Sequence, residues 1–322
     1  MLSDILQSRK CFKLVCGVGN EDVDEVEKLV YTYSKAGCNL FDVSASPNVI
    51  KSAKSALKKA GITDDRYLCV SVGIKGDPHT LKASIDYESC INCGRCQHSC
   101  PQNAIVNNVS RYIIENKKCI GCARCKNICP KSAINFASVT MNFEQILPAI
   151  IKEGIDCLEF HAISDDDIGV LNTWNILSKL YKGFMSICVD RSKIGNEKLI
   201  KRLSKMLQKR NPYTTIIQAD GAPMSGGRDN YKSTLQAIAT AEIIQNSKLP
   251  AYVLLSGGTN SKSAELAKLC EVDICGVAIG SYARHIVKEY INKKDFWENN
   301  FVQKEAINRA SDLVNSISKF LG

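Results

Sequence analysis

No stretch of this chain stays apolar for the ~20 residues that a membrane-spanning helix needs. Its opening residues, MLSDILQSRKCFKLV, lack the basic-then-apolar design of a secretory signal. The chain is therefore expected to be soluble and cytoplasmic, with no integral membrane segment. A reducing compartment excludes a disulfide scaffold, so the sixteen cysteines need another explanation. No basic stripe with interleaved aromatics accompanies the formal net charge of +9, and acidic residues lie among the scattered Lys and Arg. With no nucleic-acid motif either, binding to nucleic acid is not expected. The G-x-G-x-x-G fingerprint of dinucleotide-binding folds is missing after the first strand-like run. What remains is 322 residues of ordinary globular composition, 45% hydrophobic and 23% charged, enough for one large domain or two.

Two cysteine runs of one design stand out. Cys90, Cys93, Cys96 and Cys100 are followed by Pro101, and Cys119, Cys122, Cys125 and Cys129 by Pro130. CINCGRCQHSCPQNAI and CIGCARCKNICPKSAI repeat with an offset of 29 residues, sharing Cys, Ile, Arg, Pro and Ala positions. Four thiolates at this spacing suit a cubane iron–sulfur cluster. Zinc is the weaker reading, because a site from Cys96/Cys100 and Cys119/Cys122 would strand four more thiols. The duplicated module resembles the bacterial two-cluster ferredoxin domain, in which the fourth cysteine of each run crosses to the other cluster. That resemblance implies two [4Fe–4S] clusters. Cys90, Cys93, Cys96 and Cys129 would hold the first, and Cys119, Cys122, Cys125 and Cys100 the second. From Ile85 to Phe136 there are seven Lys/Arg against three Asp/Glu, an excess of four. Two cubanes of charge about −2 each bring the loaded insert near neutrality, which favours an embedded module over a free carrier. The other eight cysteines are dispersed through apolar segments and read as small buried hydrophobes.

The rest of the chain alternates short apolar runs with amphipathic stretches. Strands are expected at 11–16, 40–43, 67–72, 157–161, 184–189, 215–218, 251–255 and 274–279. Helices are expected at 23–36, 49–59, 142–153, 166–182, 198–209, 231–245 and 261–269, with one long run from Ala283. Glycines after the first three mark helix ends. Eight strand–helix units predict an α/β fold, a (β/α)8 TIM-like barrel with an inserted two-cluster ferredoxin-like α+β domain. The alternative is a doubly wound open α/β sheet. Residues 1–84 would form the first part of the barrel, 85–137 the insert and 138–322 the remainder, with the insert on the carboxy-terminal rim.

In such a barrel the polar residues at strand ends form the candidate site. They are Gly17, Asn20, Asp42, Ser44, Gly73, Lys75, His161, Asp190, Gln218, Asp220, Ser256 to Asn260 and Gly280 to Arg284. Gly257, Gly258, Gly280 and Ser281 suit a phosphate site, where glycine N–H groups and a helix N-terminus meet an anion. FMN is a candidate occupant. His161, Lys75 and Asp220 are candidate proton carriers, but no motif selects one as catalytic.

With the twin cysteine runs, QADGAPMSG (Gln218 to Gly226) and SGGTN (Ser256 to Asn260) in view, the chain resembles the light-dependent period modulator family of cyanobacteria over nearly its full length. The resemblance implies an iron–sulfur redox sensor or electron-transfer protein. Such a protein would relay light-dependent redox state to the circadian clock, with redox or clock proteins as partners and no implied enzymatic activity. The alternative is a ferredoxin-linked, flavin-dependent oxidoreductase with FMN at the barrel mouth.

Overall fold

A computed structural model describes residues 1–62, 64–74, 77, 80–138, 142–192, 194–221 and 229–321. Eight parallel strands close into a barrel: β1 (Cys11–Val15), β2 (Leu40–Ser44), β3 (Tyr67–Gly73), β8 (Cys157–His161), β9 (Phe184–Val189), β10 (Thr215–Asp220), β11 (Tyr252–Ser256) and β12 (Gly276–Ile279), which pairs back to β1. Closure excludes the open sheet. Each strand is a short run buried on both faces, as parallel strands covered by helices must be.

Helices α2 (Val23–Lys35), α3 (Pro47–Ala60), α6 (Phe143–Lys152), α7 (Asp167–Leu180), α8 (Asn196–Leu207), α9 (Tyr231–Asn246), α10 (Ser263–Leu269) and α11 (Ser281–Ile291) follow the eight strands in turn. Side chains placed at the N-caps start several of them. Asp22, Asn142, Asp166 and Asn230 each accept from the backbone N–H three residues on. Gly61 ends α3 in the left-handed region at φ 66°, which glycine adopts without Cβ strain. The expected long carboxy-terminal run is two helices. Asn299 caps a new one, α12 (Asn300–Ser318), after a break in which Phe296 is fully buried. Sequence patterning also leaves out α1 (Leu2–Gln7). Its Leu2 and Leu6 pack with Cys11, Leu40, Cys69, Cys157 and Ile216, closing the amino-terminal end of the barrel.

Between β3 and α6 lies the insert, with strands β4 (Leu81–Ile85), β5 (Ile105–Asn108), β6 (Arg111–Ile114) and β7 (Ile134–Ser138), and short helices α4 (Arg95–Ser99) and α5 (Arg124–Ile128). Its two repeats exchange strands. β4 pairs antiparallel with β7, and β5 with β6, so each two-stranded sheet takes one strand from either half. Ala83, Ala104, Ile105 and Ile134 give the insert its own small core, separate from that of the barrel. Among the described residues no helix is long and apolar enough to cross a membrane.

Candidate functional site

The cysteine loops repeat in backbone as well as sequence. Asn92, Gly94 and Asn103 have positive φ, and so do Gly121, Ala123 and Ser132, the same three positions 29 residues later. Each short helix carries the third cysteine of its run and ends at the fourth, where Cys100 and Cys129 leave in extended conformation. The N–H of Ala104 donates to Cys100 Sγ at 3.3 Å, and that of Ala133 to Cys129 Sγ at 3.3 Å. Hydrogen bonds to sulfur of this kind tune cluster potential.

The strand exchange gathers the thiols of both runs. Cys90, Cys93, Cys96 and Cys129 line one hollow. Cys100, Cys119, Cys122 and Cys125 line another. Four soft donors around each hollow fit a cubane, and the bordering apolar residues include Ile85 and Ile134 in the first and Ile105 and Ile114 in the second. Burial, reinforced by neighbouring thiols, pushes Cys125 up to about 12, and burial raises Cys96 and Cys122 as well. These thiols keep their protons until a metal supplies the charge to displace them. The two hollows differ in exposure. Cys93 is exposed and Cys90, Cys96 and Cys129 half-buried, whereas Cys119 and Cys125 are buried.

The second hollow faces the barrel. Ile120 lines both that hollow and the cavity at the carboxy-terminal mouth of the strands. The contact is pinned by hydrogen bonds. Lys82 Nζ donates to Gly19 O at 2.6 Å, and to Asn116 O and Cys119 O at 2.8 Å each. Its burial lowers the amine's pKa. Glu21 N donates to Lys117 O at 2.7 Å, and Lys288 Nζ to Pro101 O at 2.5 Å.

Beneath the mouth, alternate strand residues form a polar layer inside the barrel. Lys13 Nζ lies 2.5 Å from Glu159 Oε2, 2.8 Å from Gln218 Oε1 and 3.3 Å from Asp42 Oδ2. Ser186 donates to Glu159 at 2.7 Å, and Ser71 to Asp42. His161 stands one layer up, its Nε2 3.2 Å from Glu159 Oε1 and its Nδ1 3.5 Å from Asp77 Oδ2. Burial works against a charged His161, but Asp77, Glu159 and Asp42 outweigh it and raise its pKa to about 9. Burial also raises Asp42, to about 6, against the attraction of Lys13. Glu159 is held below the usual carboxylate range, because Lys13 and His161 overcome the effect of burial. Glu159, His161 and Cys188 bring donor atoms within 4.8 Å of one another, the spacing of a metal site. Both Glu159 oxygens, however, already accept from Lys13, Ser186 and Gln218.

Of the expected rim residues, Gly17, His161, Gln218, Asp220, Ser256 to Thr259, Gly280, Ser281 and Arg284 line the mouth cavity. Asp42 lies in the layer below. Asn20 instead bonds Glu25 and Cys16 O, and Asp190 holds the Ser192 turn. Asn260 ties the loop to Asn230 and Ser233. Gly73 packs against Asp77 and Thr80, and Ser44 is buried without reaching the cavity. Lys75 and the Ala222 to Gly226 stretch lie outside the described residues. Lys13 and Glu159 escape a reading by strand ends. Their signal is a charge at an alternate position within an apolar run, in CFKLVC and CLEFH.

Comparison with known proteins agrees with this architecture. Among solved structures, the YdjI aldolase of Escherichia coli K12 superposes with a TM-score of 0.51 at 7% identity, over 98% of this chain and 92% of that one, a likeness of fold alone. Residues 83–136 match the model of a 4Fe-4S dicluster domain, so the insert is an iron–sulfur domain. The light dependent period A protein of Synechococcus elongatus is 27% identical over 304 residues, covering 89% of this chain and 84% of its own. The model of the light dependent period A C-terminal domain matches residues 149–318, which carry five of the eight barrel strands and both the Gln218 and the Ser256 signatures, and with them the chain belongs to the light dependent period A family.

Proposed function

We propose that the chain is an iron–sulfur redox sensor and electron-transfer protein whose insert reports redox state to the barrel. Cys90, Cys93, Cys96 and Cys129 would hold one [4Fe–4S] cluster and Cys100, Cys119, Cys122 and Cys125 the other. Such clusters supply one-electron chemistry. The single observation that carries the reading is that Ile120 is a wall of both the second cysteine hollow and the barrel mouth. The exposed hollow, at Cys93, offers the approach for a redox partner. The docked hollow lies against the β1–α2 loop through Lys82 and Glu21, so a change of charge there acts on carbonyls and N–H groups that hold the two parts together. Following the resemblance to the light-dependent period modulator family, the information relayed would be light-dependent redox state and its destination the circadian clock.

Hydrogen exchange on anaerobic protein, oxidised and then reduced with dithionite, tests this. The segment from Cys16 to Val23 and the first turns of α11 are expected to change protection with redox state. The change should vanish in Cys125→Ser, which loses a buried thiol of the docked hollow. Equal protection in both redox states of the wild-type protein would refute the reading.

A further inference from the structure

Arg284 is a buried cation in an unfavourable place. It sits in the first turn of α11, where the helix dipole already presents positive charge. It is 8% exposed and lines the mouth cavity. Among the described residues no carboxylate lies within 4.0 Å of its guanidinium, and the seventeen residues outside that set include no Asp or Glu. Among the described residues its guanidinium has one hydrogen-bond acceptor, Cys16 O, 3.2 Å from a terminal nitrogen, and its Nε is buried with no acceptor. An isolated buried charge is expensive, and an arginine left without a counter-ion at a helix N-terminus marks a place for an anion.

The surroundings are shaped for one. The N-cap of α11 is Gly280, and no side chain caps the first N–H groups. Gly17 lies alongside, where a Cβ would come 3.7 Å from the guanidinium. Across the cavity the charge reverses, with Asp220 packed so closely on Gly257 that a Cβ there would fall on its carboxylate. An anion therefore belongs at the Gly280–Arg284 side and not at Gly257. We propose that the barrel mouth binds a small phosphorylated molecule. Its phosphate would be held by Arg284 and the first turn of α11, and its hydroxyl-bearing remainder would face His161 and Asp220 beside Ile120. The site is independent of whether the clusters sense or transfer electrons.

Isothermal titration of the anaerobic, iron-loaded protein with inorganic phosphate, ribose 5-phosphate and FMN tests this. At least one is expected to bind, and the tighter of the two esters tells a sugar phosphate from a flavin. Arg284→Gln removes charge-assisted hydrogen bonds and should weaken binding about tenfold or more. Ser281→Asp keeps the fold, since an acidic residue suits the first turn of a helix, yet it repels the phosphate and should weaken binding similarly. Iron content and circular dichroism of both variants should match wild type. If Arg284→Gln fails to fold, Ser281→Asp decides alone. No binding of any of the three by wild type, or undiminished binding by Ser281→Asp, would overturn the proposal.

Discussion

At the residue scale, the barrel interior is governed by one ammonium between two carboxylates. Lys13 is fully buried, with Glu159 at 2.5 Å and Asp42 at 3.3 Å. Breaking such a set by removing one member leaves uncompensated buried charge, which costs about 3–5 kcal/mol. Lys13→Met should therefore shift the urea midpoint sharply down, and adding Glu159→Gln should recover part of the loss, because it removes one of the orphaned charges. A double variant no better than the single one would show that the carboxylates do not depend on Lys13. His161 makes a second prediction. Its pKa is raised above the ordinary value of about 6.5 to about 9 by Asp77, Glu159 and Asp42. A raised histidine contributes stability that is complete below the unfolded value and lost as pH climbs through the folded one. Unfolding midpoints should fall between about pH 6.5 and about pH 9 in wild type, and His161→Gln should flatten that fall. Sequence alone exposed part of this site. Asp42, His161, Gln218 and Asp220 were visible because polar residues at strand ends interrupt an apolar pattern. Lys13 and Glu159 were not, since their partners come from strands 146 and 205 residues away and a single run does not reveal them.

At the scale of elements, the insert is built by exchange. Because β4 pairs with β7 and β5 with β6, the fourth cysteine of each run is carried into the other run's hollow. Cys129→Ser should accordingly alter the electron paramagnetic resonance signal of the cluster proposed on Cys90, Cys93 and Cys96. Cys100→Ser should alter the other, each variant losing up to roughly half of the about eight irons expected for two cubanes. Damage confined to each variant's own run would contradict crossed ligation. The barrel strands were legible in the sequence because a parallel strand buried on both faces must be a short, unbroken apolar run. Two elements were not. α1 has six residues, too few to show a helical period. The break between α11 and α12 contains neither Gly nor Pro. It is made by tertiary packing, with Phe296 buried and Trp297 edge-on to Tyr31 of α2, before Asn299 caps the next helix.

For the whole molecule, the question is how far barrel and insert depend on one another. The insert leaves and rejoins the barrel through neighbouring strands, with Leu81 opposite Ser138 in the β4–β7 ladder. Its hydrophobic cluster shares no buried residue with that of the barrel. A compact insertion with adjacent ends is removable without tearing the host. What ties the two together is a polar seam: Lys82 on Gly19, Glu21 on Lys117, Lys288 on Pro101, and Gln102 on Glu25 at 3.1 Å. Among the described residues, the large apolar side chain bridging the second hollow and the mouth is Ile120. Exposed or half-exposed polar contacts contribute little each, so the barrel should survive their loss. Replacing residues 81–138 by a short Gly/Ser linker is expected to give a protein without iron that keeps helical circular dichroism and unfolds in one cooperative step. Its midpoint should lie below that of the loaded chain, because the mouth loses its cover. The β1–α2 loop should then exchange faster than the strands. A protein recovered only as aggregate, with no cooperative transition, would mean that the insert is part of the barrel's folding unit, and that a signal need not cross a seam because there is none.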